Sequence, residues 1–165
     1  MPESKGLEPV IVSRTIAAPA DKLWAMVSDI TRMGEWSPET TGGAWVKRAK
    51  GPSVGARFKG KNRNGPKTWS IVCEVTESVP GKVFAFDAMA MGVRYANWRY
   101  DFEPVGDAAA PGGNASTLVT ESVIDNRGHL FKWAGAKMSG VTDRVSHNER
   151  TMTETLEALA VAAES

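Results

Sequence analysis

The sequence predicts an α+β domain in which a curved antiparallel sheet lies against one long C-terminal helix. Three observations carry this prediction. Over the last 36 residues, apolar side chains recur at Leu130, Trp133, Ala134, Met138, Val141, Val145, Met152, Leu156, Leu159 and Ala163, mostly three or four apart, which is the spacing of one helix face. Between residues 40 and 126 the pattern is instead short alternating segments divided by Gly and Pro turns. The strands and the long helix are also segregated along the chain. A single helix laid across a strongly curved sheet need not fill the space beneath it, so a hydrophobic cavity is expected there, and a cavity is a place to bind.

The elements follow in order. Residues 9–16 suit a first strand. A short helix comes next, with Pro19 in its first turn, Asp21 at its positive end and one face of Leu23, Trp24, Val27 and Ile30. A second short helix runs from Asp29 to Gly34 and is stopped by Gly34 and Pro38. Six further strands are read at 43–49, 55–63, 67–79, 82–90, 94–105 and 115–125, which makes seven in all. Asn64-Gly65 is a strong hairpin signal, and Pro80-Gly81 marks the next turn. Residues 106–114 read as a mobile loop of low complexity, and residues 1–8 as flexible.

At 165 residues the chain suits one domain, residues 1–165, large enough to bury roughly 70% of its unfolded surface. Cys73 is the single cysteine, which excludes an intramolecular disulfide and fits a reducing compartment. No apolar run reaches signal-peptide length at Met1–Gly6, and none approaches the ~20 residues of a membrane span. A cytoplasmic protein that does not cross a membrane is expected. Its oligomeric state cannot be read.

Strand alternation says which residues share a face. Ala56, Phe58, Gly60 and Asn62 oppose Arg57, Lys59, Lys61 and Arg63; Trp69, Ile71, Cys73 and Val75 oppose Thr68, Ser70 and Glu74; Trp98, Tyr100 and Phe102 oppose Arg99, Asp101 and Glu103. The expected cavity lining is therefore Trp36, Phe58, Trp69, Ile71, Phe86, Trp98 and Tyr100 from the sheet side, with Phe131, Trp133 and Met138 from the helix. Arg14 and Asn62 are candidate polar handles. Met138-Ser139-Gly140 lies inside the helical pattern, where the glycine can loosen or kink the helix.

Several motifs fail. Gly55 to Asn62 nearly spells a phosphate-binding loop, but Asn62 replaces the hydroxyl and the segment alternates like a strand. No glycine fingerprint for a dinucleotide follows a strand. Two histidines and one cysteine, with no H-x-x-x-H or C-x-x-C, give no metal site, and no cofactor is implied. Cys73 sits mid-strand on an apolar face and reads as packed. His147, near Asp143 and Arg150, reads as a surface histidine before a general base.

Net charge is only +1, yet no acid occurs between Glu39 and Glu74 while eight bases do. The rest of the chain has 12 bases against 19 acids. The stretch 47–67 is either a solvated edge of the sheet or a docking face for an acidic carrier protein or an anionic surface. It lacks the interleaved exposed aromatics that nucleic acid would require.

The residues also resemble a known family. Ser13 to Trp24 and Val27-Ser28-Asp29 are similar to the opening of the polyketide cyclase/dehydrase-like branch of the SRPBCC superfamily. The similarity continues through Met33 to Glu39, Trp45, Gly51-Pro52, Val54 to Phe58, Gly60, Asn62-Arg63, Trp69, Trp98 to Pro104, Met152 and Thr155-Leu156. It resembles an actinobacterial subgroup and covers nearly the whole chain. The resemblance implies a helix-grip, START-like fold: seven antiparallel strands gripping the C-terminal helix around a hydrophobic tunnel. Fold does not choose among the carriers, receptors and cyclases of such a family. The preferred reading is binding or carriage of a small hydrophobic molecule such as a lipid, acyl chain, polyketide or isoprenoid. The alternative is a metal-independent cyclase or dehydratase, for which Asp87, Glu121 and Arg99 offer acid–base groups and Tyr100 a donor. Phe84 and Phe86 take the parity opposite to Asp87, which argues that Asp87 points outward.

Overall fold

The computed structural model describes residues 8–106 and 115–165. The flexible N-terminus and mobile loop expected at 1–8 and 106–114 fall almost wholly outside those residues. The elements are β1 (Val10–Ile16), α1 (Ala20–Ser28), a 3-10 turn (Ile30–Glu35), β2 (Thr40–Val46), β3 (Arg57–Asn64), β4 (Lys67–Val79), β5 (Val83–Ala90), β6 (Val93–Val105), β7 (Ser116–Asp125), α2 (His129–Ser139) and α3 (Arg144–Glu164). The strands form one antiparallel sheet in the order β1-β7-β6-β5-β4-β3-β2, so the chain's first strand closes beside its last.

Local chemistry explains most boundaries. Pro19 stands at the N-cap of α1, and Asp21 lies in its first turn. Leu23, Met26 and Val27 are buried, while the half-buried Trp24 donates its indole N–H to the Val83 carbonyl at 2.9 Å. Asp29 caps the 3-10 turn by accepting from the Thr31 backbone and hydroxyl. Strand β2 begins and ends three residues earlier than expected. A side chain at Gly43 would meet the Ile30 carbonyl at 2.8 Å, and one at Gly34 would collide with the Thr41 carbonyl. The glycines thus let the 3-10 turn press directly on the strand. At its far end Lys47 and Arg48 take positive φ values of 52° and 67°, which turns the chain where a strand was expected to continue.

The single long helix is two helices. Gly140 adopts φ +73° and its N–H bonds to the Ala136 carbonyl at 2.8 Å, ending α2 in a left-handed cap. Asp143 restarts the chain by accepting from the Ser146 N–H. The apolar period runs through the break, but only α3 turns it into the core: Trp133, Ala134 and Met138 of α2 are exposed. From α3, Met152, Leu156, Leu159, Ala160 and Ala163 are buried against Ile16, Leu23, Phe84, Phe102 and Val119 in one core. Two bonds fasten the end of α3 to the start of the fold: Lys22 Nζ to the Ala163 carbonyl at 2.7 Å, and the Ala17 N–H to Glu164 at 3.0 Å.

Candidate functional site

Between the concave face of the sheet and α3 lies a cavity of about 110 Å³. Its walls are aromatic. Strands β3, β5 and β6 supply Phe58, Phe86 and Trp98, and the end of the 3-10 turn supplies Trp36. Phe58 and Phe86 meet edge to face at 5.1 Å, with Trp45 behind Phe58 at 5.7 Å.

The polar part of the cavity comes from two adjacent strands. Tyr100 on β6 stands directly opposite Glu121 on β7, and both side chains point inward. The Tyr100 hydroxyl donates to Glu121 Oε1 at 2.7 Å, while Oε2 has no partner among the described residues. Glu121 is only 3% exposed. Burial disfavours its charged form and outweighs the Tyr100 bond, so its pKa is pushed up from an ordinary 4.5 to about 8. The same burial, with Glu121 beside it, lifts the Tyr100 hydroxyl well above its usual value. At neutral pH the pair is therefore mainly a neutral carboxyl and a neutral phenol. One carboxyl oxygen accepts from Tyr100, and the other is left to act on whatever occupies the cavity.

Above this pair, α3 lays a stripe of buried polar side chains, Asn148, Thr151 and Thr155. The Thr155 and Thr151 hydroxyls are bonded to the helix's own carbonyls, at 2.7 Å to Thr151 and 3.2 Å to Asn148. At one end of the cavity Glu39 is held by α3, whose Arg144 also reaches Ser139 of α2. Arg144 donates to its carboxylate at 3.3 Å and to Ser139 Oγ at 2.9 Å, and His147 Nε2 bonds to Glu39 as well. Arg150 donates to His147 Nδ1 at 3.2 Å, which leaves Nε2–H to face the carboxylate. The partner of His147 is thus Glu39, not Asp143, which caps α3.

The expected lining divides. Trp36, Phe58, Ile71, Phe86, Trp98 and Tyr100 come together on the cavity, with Asn62 among them, its Oδ1 accepting from the Thr40 hydroxyl at 2.9 Å. Trp69 is buried but lines a second, smaller cavity of about 70 Å³ beneath α2, which Met138 also edges. Phe131 packs on Tyr95 at 5.6 Å. Trp133 does not line the cavity: it is 57% exposed, and Met138 is 53% exposed. Ending α2 at Gly140 separates these residues from the α3 face that covers the cavity. Arg14 shares the inner parity of β1, opposite Val119, but β1 is an edge strand and the residue is exposed.

Of the acid–base candidates, only Glu121 and Tyr100 face inward. Asp87 lies on the outer face, bonded by Arg94 at 3.0 Å and Asn97 at 2.8 Å, and Arg99 pairs with Asp101 and Glu77. Cys73 also edges the cavity, but burial raises its thiol to about 12, which keeps it protonated and inert. Among the described residues no three His, Cys, Asp or Glu side chains gather in a group that could hold a metal ion. No helix among them is long and apolar enough to cross a membrane, which says nothing of a β-barrel.

The family described as polyketide cyclase / dehydrase and lipid transport matches residues 10–164. The chain belongs to that family. No curated protein matches it. Among solved structures it is similar to a Polyketide_cyc-like protein of Corynebacterium glutamicum, with 30% identity over 99% of this chain and 94% of that one, at a TM-score of 0.59. The di-domain ARO/CYC BexL from the BE-7585A biosynthetic pathway shares the fold at 16% identity and a TM-score of 0.64, over 95% of this chain and 46% of that one. A protein from Mesorhizobium loti does so at 18% identity and a TM-score of 0.61, over 93% and 95%. The seven-stranded sheet and long C-terminal helix are those of the helix-grip fold.

Proposed function

We propose that this family member binds and carries, within the cytoplasm, a compact and largely apolar molecule that presents one carbonyl or hydroxyl oxygen to Glu121. The observation that carries this reading is the unpartnered Glu121 Oε2 inside an aromatic cavity. A neutral carboxyl whose first oxygen already accepts from Tyr100 has an O–H to donate from the second, and a buried donor without an acceptor is costly. A ligand oxygen supplies the acceptor, and Trp36, Phe58, Phe86 and Trp98 surround its apolar body. The cavity volume of about 110 Å³ is small beside the ~300–1,000 Å³ of drug-sized sites, which favours a single ring or a short chain over an extended lipid.

A second reading rests on the same pair. A carboxyl that titrates near 8 is suited to give and take a proton at neutral pH, so cyclisation or dehydration of a polyketide-like ligand would use Glu121 as the acid–base group. The two readings part on whether the bound molecule changes.

Titration with small aromatic ketones, followed by tryptophan fluorescence from Trp36 and Trp98 and by mass spectrometry of the recovered ligand, tests both. Binding is expected to weaken as pH rises through about 8, where Glu121 loses its proton. Glu121→Gln keeps an N–H donor and should flatten that profile, whereas Glu121→Leu should weaken binding about tenfold, the worth of one buried hydrogen bond. Identical affinity and pH profile in all three proteins would sink the proposal. A ligand recovered chemically altered would favour turnover over carriage.

A further inference from the structure

Two stretches of this chain contain no acid, residues 40–73 and residues 126–142, and between them they hold 11 of its 20 bases. The fold brings them together. The β3–β4 hairpin tip meets the end of α2, where Asn64 Nδ2 donates to the Ser139 carbonyl at 2.9 Å and Lys67 Nζ to the Lys137 carbonyl at 2.6 Å. On α2, Trp133 and Lys137 lie on the outer side and Lys132 and Met138 are exposed at its flanks, as are Lys67 and Arg63 on the hairpin. The Lys137 ammonium rests 4.4 Å from the centre of the Trp133 ring. Elsewhere five arginines are matched with acids, Arg32 with Glu35, Arg57 and Arg94 with Glu74, Arg99 with Asp101, and Arg127 with Asp125, whereas the exposed Arg14, Arg48 and Arg150 form no ion pair among the described residues. Among the described residues, Lys132, Lys137, Lys67 and Arg63 form no ion pair.

We propose that the outer face of α2, together with the β3–β4 hairpin tip, docks on an anionic lipid bilayer. The combination of chemistries selects this partner. Unpaired cations attract the phosphates of an acidic leaflet at short range. An exposed indole and thioether among them suit the boundary between headgroups and acyl chains, where tryptophan is at home and where lysine stems can lie along apolar surface. An acidic protein would use the cations but give the indole no apolar layer to enter. The face is also well placed, because α2 roofs the smaller cavity lined by Trp69, Tyr95 and Trp98, so docking would set that roof against the lipid. This inference does not depend on what the cavity binds.

Co-sedimentation of the whole protein with phosphatidylcholine vesicles, with and without an equal part of phosphatidylglycerol, provides the test. Binding is expected only to the anionic vesicles, and high salt should reverse it. Lys132→Glu with Lys137→Glu should lower partitioning roughly 30-fold or more, given what each cation contributes near an anionic leaflet. Trp133→Ala should lower it several-fold while leaving the charge untouched. These side chains are exposed, so the variants keep the fold, and an unchanged far-ultraviolet spectrum would verify this. Absence of binding, or equal binding to neutral vesicles, would overturn the proposal. So would anionic binding that Trp133→Ala does not weaken, since attraction by charge alone would point to an acidic macromolecule.

Discussion

Strands β5 to β7 carry carboxylates on both faces, and the two faces treat them oppositely. Outside, Asp87 is held by Arg94 and Asn97, and Glu74 on the neighbouring β4 by Arg57 and Arg94, with the Arg94 and Arg57 bonds keeping the Glu74 carboxyl below its ordinary range. Inside, Glu121 has one phenol and, among the described residues, no cation, and burial drives its pKa up. The residue types hardly differ, and the strands are neighbours. Parity decides: one step along a strand moves a carboxyl from a wet arginine ladder to a dry aromatic wall. The outer face therefore supplies charge and the inner face a proton.

The largest effect that would sharpen this contrast belongs to the inner wall. Phe58→Ala should destabilise the protein by about 3–5 kcal/mol in urea unfolding, because the ring is 1% exposed and braced by Trp45 and Phe86. A loss below about 1 kcal/mol would mean the wall can collapse. Next comes the pH dependence of Glu121. Its pKa is higher folded than unfolded, so its contribution to stability is complete below about 4.5 and is lost as pH rises to about 8. Stability should fall across that window with a slope of up to about 1.4 kcal/mol per pH unit. Glu121→Gln should remove this component, and an equal slope in the variant would break the inner half of the comparison. The smallest effect lies outside. Arg94→Ala should barely move the unfolding midpoint, and less so in high salt, since the ladder is solvated.

Much of this architecture was legible. The span 67–79 is β4 as read, and alternation placed Phe58, Phe86, Trp98 and Tyr100 inward and Asp87 outward. Such inferences work where a strand is half wet, because burial imposes period two. They fail where backbone meets backbone, as at Gly34 and Gly43, which moved β2. Helical periodicity is blind to Gly140 for a different reason: it counts residues on a face but does not say where the axis turns, and so it puts the exposed Trp133 in the cavity. The polar stripe of Asn148, Thr151 and Thr155 leaves no mark on an apolar period, which counts only the hydrophobic positions of the helix. Glu121 is one of several acid–base candidates in the sequence, and its row mates Thr117, Val119 and Val123, which alternate inward, are the signal that singles it out.

The break at Gly140 also divides the C-terminal region into two cooperative units. Helix α3 is built into the core through Met152, Leu156 and Leu159. Helix α2 has no large apolar residue fully buried among its described side chains, and two hairpin bonds steady its end. Local opening of α2 can therefore proceed at a small fraction of the global unfolding free energy, with α3 still folded. Amide protons of α2 should exchange with solvent on a faster clock than those of the helix that follows it.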